Sequence, residues 1–304
     1  MSVNLPTWYV QQYNTNIQQL VQQKVSRLRS ACSTGNHTGT GASPVDQVGL
    51  VEMQDVDTRF APMPRVDAPT DRRWVSPLDA DLPQLIDKFD KLRLLTDPTS
   101  VYVTNAVSAA NRKFDDRILP AFFAAASTGV VGATSTAFGA TGTSGQVVGV
   151  STGGTTSNMN VAKLEAGRKI LMTNEVDLEN ESIWVAYTST EDQSLRNELQ
   201  VISLDFNEKP VFNDKGLIMS WRGFNFIHSE RPALTTTATD DVAGSSKAIP
   251  MWVKSGMYLG IWDDINTVIS QRNDLRGLPW QAYTTLSANA TRLEEPKVVK
   301  IWCR

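Results

Sequence analysis

The chain has 304 residues, with 29 Lys and Arg against 32 Asp and Glu, for a net charge of -3. That length holds one large or two ordinary domains, and near neutrality excludes a dedicated phosphate-gripping protein, which shows a surplus of Lys and Arg. Its 41% hydrophobic and 20% charged residues are those of an ordinary soluble protein, which excludes the disordered class.

The opening residues MSVNLPTWYVQQYN have neither the basic start nor the apolar core of a secretory signal. No window holds the eighteen or so apolar residues of a membrane span. We expect synthesis and use in the cytoplasm, with Cys32 and Cys303 as free thiols forming neither a disulfide framework nor a metal motif. From Pro6 to Ser30, Tyr9, Tyr13, Ile17, Leu20, Val21, Val25 and Leu28 form one stripe opposite a Gln- and Asn-rich face. The spacing predicts an amphipathic helix. Cys32 to Ser43 reads as a Gly/Thr/Ser connector.

From Val45 to Val75 the pattern is extended, and Pro62, Pro64 and Pro69 exclude central strands there. We expect a two-stranded excursion with a proline-stiffened tip. An isolated hairpin is marginal in water, so it has to lie on something else. Its charges interleave: Glu52, Asp55, Asp57, Asp67 and Asp71 against Arg59, Arg65, Arg72 and Arg73.

Pro83 suits the first turn of a helix, and Leu85, Ile86, Phe89, Leu92 and Leu95 follow at helical spacing until Asp97-Pro98 stops it. A second helix carries Val103, Val107, Ala110, Phe114 and Ile118 toward Phe122, with Ala106, Ala109 and Ala110 keeping one side thin. Pro120 should kink or end it about one turn early. No charged residue occurs from Ile118 to Ala162. Ser127 to Asn160 reads as loops and short strands, one at Gln146–Val150, and no Gly-Lys-Ser/Thr follows Gly153-Gly154 to make a phosphate loop.

Beyond it we expect a helix at Val161–Thr173, a strand at Ile183–Tyr187 and a helix at Glu191–Gln200. Strands with turns at Asn207-Glu208, Asp214-Lys215-Gly216 and Arg222-Gly223 follow, then a loop at Thr235–Ser246. Ile249–Ile261 reads as one strand, Ile265–Arg276 as a loop or short helix, and Trp280–Thr291 and Lys297–Trp302 as closing strands. The order suits a mixed α+β domain.

No catalytic set stands out. His37 and His228 lack a Cys or His at ligand spacing, and no nucleophile elbow is present. Asp115-Asp116, Asp240-Asp241 and Asp263-Asp264 read as helix surface, loop and turn. A cleft built on Asp263-Asp264 beside Trp262 is the one enzyme reading, a soluble hydrolase. We expect no enzyme, no metal and no cofactor.

The region from Arg72 to Gly129 resembles the spine-helix region of tailed-phage major capsid proteins of the Hong Kong 97 type. The resemblance rests on Asp71-Arg72-Arg73, Ser76-Pro77, Asp79-Ala80-Asp81, Leu85-Ile86-Asp87, Asp90-Lys91, Asp97-Pro98-Thr99-Ser100 and Tyr102. It continues through Asp115-Asp116, Ile118 and Ala121-Phe122-Phe123, and more loosely through Gly216, Ile218, Gly223-Phe224, Ser229, Pro232, Ala290, Arg292, Val298-Val299 and Ile301. It implies the Hong Kong 97-type α+β capsid fold: an N-terminal arm (1–44), an extended loop (45–76) and a peripheral domain with spine helix (77–160). An axial domain (161–285) and a returning C-terminal strand (286–304) complete it.

The function it implies is a major capsid protein self-assembling as hexamers and pentamers into an icosahedral shell around double-stranded DNA. The DNA would be contacted weakly and non-specifically, with scaffolding, portal and cement proteins as partners and no membrane. An encapsulin-like compartment is the alternative. Contacts between subunits are then expected at Tyr9, Tyr13, Ile17, Asp55, Asp57, Arg59, Arg65, Asp67, Asp71, Arg72 and Arg73. Some members join subunits by an isopeptide bond from a loop lysine. This chain has no lysine between Lys24 and Lys88, which excludes that bond from this loop.

Overall fold

The computed structural model describes residues 21–39, 41–55, 59, 65–86, 99–139, 145–154, 157–203, 211–212, 216–235 and 246–304. The elements, in chain order, begin with β1 (Ser33–Asn36), β2 (Ser43–Val48), β3 (Thr70–Val75), β4 (Asp79–Ile86) and α1 (Thr99–Ala121). Then come β5 (Ala126–Thr128), β6 (Thr134–Thr136), β7 (Val147–Val148), α2 (Val161–Thr173), β8 (Ile183–Tyr187), α3 (Ser189–Arg196) and α4 (Leu199–Ile202). The rest are β9 (Ser220–Trp221), β10 (Phe224–His228), α5 (Pro232–Thr235), β11 (Lys247–Val253), β12 (Met257–Gln271), β13 (Trp280–Arg292) and β14 (Val298–Cys303). The chain forms two compact units. One comprises Asp79–Arg112 and Asp263–Leu286 with the start of the chain; the other comprises Ser26–Leu78, Lys113–Trp262 and Ser287–Arg304.

The larger unit is organised around a six-stranded mixed sheet in the order β7-β14-β11-β8-β10-β9. Its interior strands are near-continuous apolar runs: Val185, Ile249, Met251, Trp252, Val253, Val299 and Ile301 are all fully buried, as strands covered on both faces require. Pro250 sits in interior strand β11, opposite Lys300 of β14. Pairing with β8 begins only at Met251, so no ladder bond toward β8 is due at the proline. Helix α2 lies close on this sheet because residue 167 is glycine: a Cβ there would come within 2.9 Å of both Met251 Sδ and Cε. Asn160 caps the helix, its Oδ1 accepting from Lys163 N at 2.8 Å. The β9–β10 turn at Arg222-Gly223 has both residues at positive φ, 46° and 84°, which is the hairpin turn matched to strand twist.

A second sheet, β2-β3-β5-β6, holds the excursion. β2 and β3 pair antiparallel from Ser43↔Val75 to Val48↔Thr70. In the smaller unit, β4 and the outer parts of β12 and β13 form sheet, in the order β12-β13-β4. Helix α1 buries Ala106, Ala110, Phe114 and Ile118 at four-residue spacing and ends one residue after Pro120.

Several expectations are corrected. The first half of the arm helix lies outside the described residues, but from residue 21 onward the chain is irregular until a single 3₁₀ turn at Arg29–Ala31. The cause is Asp115, whose carboxylate accepts from Ser26 Oγ (2.6 Å), Arg27 N and Leu28 N (both 3.2 Å). Those N–H groups are thereby withdrawn from a helical ladder. Asp115 is therefore fully buried rather than surface. The expected connector contains a strand, since β1 pairs parallel with Tyr258–Ile261 of β12.

Asp79–Ile86 is a strand, not the start of a helix, and Leu85 of the expected stripe is exposed. Residues 87–98 lie outside the described residues. Pro83 is tolerated because β4 is an edge strand. Ile249–Ile261 is two strands broken at Lys254–Gly256, and Ile265–Gln271 continues β12 instead of forming a loop. Helix α3 starts at Ser189, two residues early, because Thr188 and Glu191 make a capping box. The turns at 207–208 and 214–215 and most of the 235–246 loop lie outside the described residues.

Candidate assembly surfaces

The excursion is rooted firmly, and its described apolar side chains beyond the root are exposed. At its base, Gln47 Nε2 and Arg73 Nε both donate to the Leu293 carbonyl at 2.9 Å, and Asn289 Nδ2 donates to Ser76 O at 2.9 Å. Trp74 Nε1 donates to Gly129 O at 2.7 Å. That contact needs the Gly129–Gly132 turn, where a Cβ on Gly132 would come within 2.9 Å of the indole. Beyond Val48 the apolar side chains lose cover: Val48 is 73% exposed, Leu50 81%, Val51 47%, Met53 101% and Val66 48%.

The charged residues expected at contacts differ in their surroundings. Arg72 Nε meets Asp46 Oδ1 at 2.5 Å, directly across the β2–β3 rung, and its N–H takes Asp71 Oδ1 at 2.8 Å. Asp46 is a partner the sequence reading missed, although the register that places it follows from a hairpin beginning at Ser43. Arg65 pairs with Asp67 at 2.8 Å, both largely exposed. Arg73 differs from the rest, being 5% exposed and committed to Leu293 O. Asp55 and Arg59 are exposed. Asp57, Tyr9, Tyr13 and Ile17 lie outside the described residues.

The root of the N-terminal segment is also tied down. In the smaller unit Arg112 Nη1 donates to Gln22 Oε1 and Gln23 O, and Asn111 Nδ2 to Lys24 O. In the larger unit Arg27 Nη1 donates to His228 O and meets its Nδ1 at 2.9 Å. Trp252 Nε1 donates to Ala31 O at 2.8 Å. Among the described residues neither histidine sits in a ligand set. His37 contacts Tyr258 Oη at 2.9 Å and stacks on Trp262; burial pushes its pKa down.

The enzyme reading is not supported by the local geometry. Asp263-Asp264 lies where strand β12 becomes exposed and not in a turn, Asp263 accepting from Thr285 Oγ1 and Asp264 from Ile265 N. Among the described residues no group of three His, Cys, Asp or Glu could hold a metal, and no described helix is long and apolar enough to cross a membrane. Cys32 and Cys303 are free and buried, and burial pushes both thiols up to about 12.

Comparison with solved structures returns phage shells across the whole length. The capsid of the cyanophage P-SCSP1u superposes with a TM-score of 0.75 at 11% identity, covering 100% of this chain and 97% of that one. The cyanophage Pam1 capsid gives 0.69 at 12%, covering 99% and 98%, and the capsid of Ralstonia phage GP4 gives 0.66 at 11%, covering 100% and 97%. No curated protein sequence matches. The sequence itself matches the phage capsid protein family over residues 5–304. The chain belongs to that family: it is a major capsid protein of the Hong Kong 97-type fold, a subunit of a phage head shell.

Proposed function

We propose that copies of this chain group into rings of five and six and close into an icosahedral head around double-stranded DNA, each hairpin lying across the next copy. The observation that carries this reading is a run of exposed apolar side chains. Among the described residues, Val48, Leu50, Val51, Met53 and Val66 stand in water on a hairpin whose base is tied to Leu293. Covering such a side chain fully is worth about 1.5–3 kcal/mol each. The exposed ion pair Arg65–Asp67 contributes under about 1 kcal/mol. Apolar cover therefore supplies affinity, while Asp55, Asp57, Arg59, Arg65, Asp67, Asp71 and Arg72 set orientation; Arg73, buried against Leu293, anchors the hairpin instead.

Tyr9, Tyr13 and Ile17 serve the same role on the arm, and modest contacts repeated around a closed shell add by multivalency. With a net charge of -3, the DNA is held by enclosure and weak non-specific contact. Scaffolding, portal and cement proteins, and assembly in the host cytoplasm, belong to the same reading. Electron microscopy of the purified protein, with nuclease treatment and extraction of the contents, tests it. Closed shells carrying nuclease-protected DNA are expected from infected cells; shells loaded with a protein cargo would identify an encapsulin-like compartment instead.

A further inference from the structure

Strand β12 outruns its neighbour. On one side β13 accompanies it, with Thr267 and Thr284 hydroxyls 2.9 Å apart and Arg272 N donating to Pro279 O at 2.9 Å. On the other side β1 pairs only with Tyr258–Ile261. Among the described residues no strand pairs with Ile265–Gln271 on that side.

Open edges recruit other strands, and proteins ordinarily guard them with proline or charge. This chain does so elsewhere. Edge strand β2 carries Pro44 and Asp46, and edge strand β4 carries Pro83, Asp79 and Asp81. Ile-Asn-Thr-Val-Ile-Ser-Gln, residues 265–271, has no charge, proline or glycine. It is rich in β-branched side chains and exposes Val268 (51%) and Ile269 (44%).

We propose that this edge pairs antiparallel with the same strand of a second copy, about a two-fold axis through Val268. The partner is part of the shell reading above and rests on it. The backbone parity agrees. Arg272 N points at β13, so by alternation Ile265, Thr267, Ile269 and Gln271 turn their N–H and C=O groups to the open side. In this register Thr267 faces Ile269 of the second copy, and Ile265 faces Gln271, as hydrogen-bonded rungs.

The intervening rungs bring side chains closest. They match Val268 with Val268, Asn266 with Ser270, and Asp264 with Arg272, at both ends by symmetry. Asp264, Asn266, Val268 and Ser270 are all exposed. The Arg272 side chain is 40% exposed, and its grip on Asp274 and Gln281 leaves it able to add a carboxylate from the second copy. Neighbouring registers lose both Asp264–Arg272 pairs. A slip one way sets Asp264 against Asp274; the other leaves Asp264 opposite Ser270. Like charges directly opposite are destabilising, and opposite charges favourable.

The test uses the full chain and two independent probes. Asp264→Arg and Arg272→Asp should each lower the yield of assembled particles several-fold by sedimentation. The double swap should restore it, which repair of the Asp274 contact within one chain cannot explain. Val268→Cys particles should give a covalent dimer under mild oxidation, read on a non-reducing gel against the wild-type background. Particles that form without that dimer, or a double swap as defective as either single, would overturn the pairing while leaving the shell reading intact. Should the wild-type chain form no shell, the shell reading falls, and the same cysteine cross-link on the dissolved protein decides the strand contact.

Discussion

Arg292 and Glu295 are 1% and 3% exposed and pair with each other. Arg292 Nε and Nη2 reach Glu295 Oε1 at 2.7 and 2.6 Å, and Nη1 donates to Phe122 O and Ala124 O at the end of α1. Burial pulls the guanidinium pKa down and Glu295 opposes that. Breaking such a pair costs about 3–5 kcal/mol, because one buried charge is left uncompensated. Arg292→Met should therefore lower the denaturant midpoint sharply, or abolish soluble expression, whereas Arg292→Met with Glu295→Leu should recover much of the loss. The two thiols give a second residue-scale prediction. Held up at about 12 by burial, Cys32 and Cys303 should not react with a thiol reagent at neutral pH. Both should label once denaturant unfolds the chain.

At the scale of elements, close approach is set by small residues. Gly167 lets α2 settle onto Met251 and Ile301. Gly167→Leu should cost about 1–3 kcal/mol by overpacking, visible as a lower unfolding midpoint in urea; an unchanged midpoint would remove α2 from the account of the core. Elements whose cause is local were legible before the structure. Helix α2 and strand β8 have the bounds expected from periodicity, and the Arg222-Gly223 turn lies where the dipeptide indicates. The start of α3 is also legible in Thr188-x-x-Glu191, a capping signature. Strand β4 was not legible. Its leucine spacing reads as helix, and only pairing with β13 makes it extended.

For the whole molecule, the ordering of contact energies is testable. Leu50→Asp with Met53→Asp should leave a folded subunit that fails to form shells, since two exposed apolar anchors are lost. Arg65→Glu should impair assembly less and in a salt-dependent way, because a solvated charge chiefly steers docking. Sedimentation velocity of both variants, with circular dichroism to confirm folding, checks the order; equal defects would return the main role to charge. A further expectation follows from the lysine-free stretch between Lys24 and Lys88. Particles boiled in detergent should release single chains, since no hairpin amine exists to join subunits covalently.

The residues alone determined the family, the fold class and the hairpin. Proline placement, helical spacing and an ordered string of short motifs are local properties that survive without coordinates. Tertiary structure decided what depends on partners distant in sequence. Asp115 turns the expected helix at residues 26–28 into a pinned loop, Leu293 withdraws Arg73 from the surface, and β12 runs past β1 to leave an edge with no partner strand among the described residues. Each is a hydrogen-bonding obligation met, or left open, by groups far along the chain, and no window of sequence contains both sides of it.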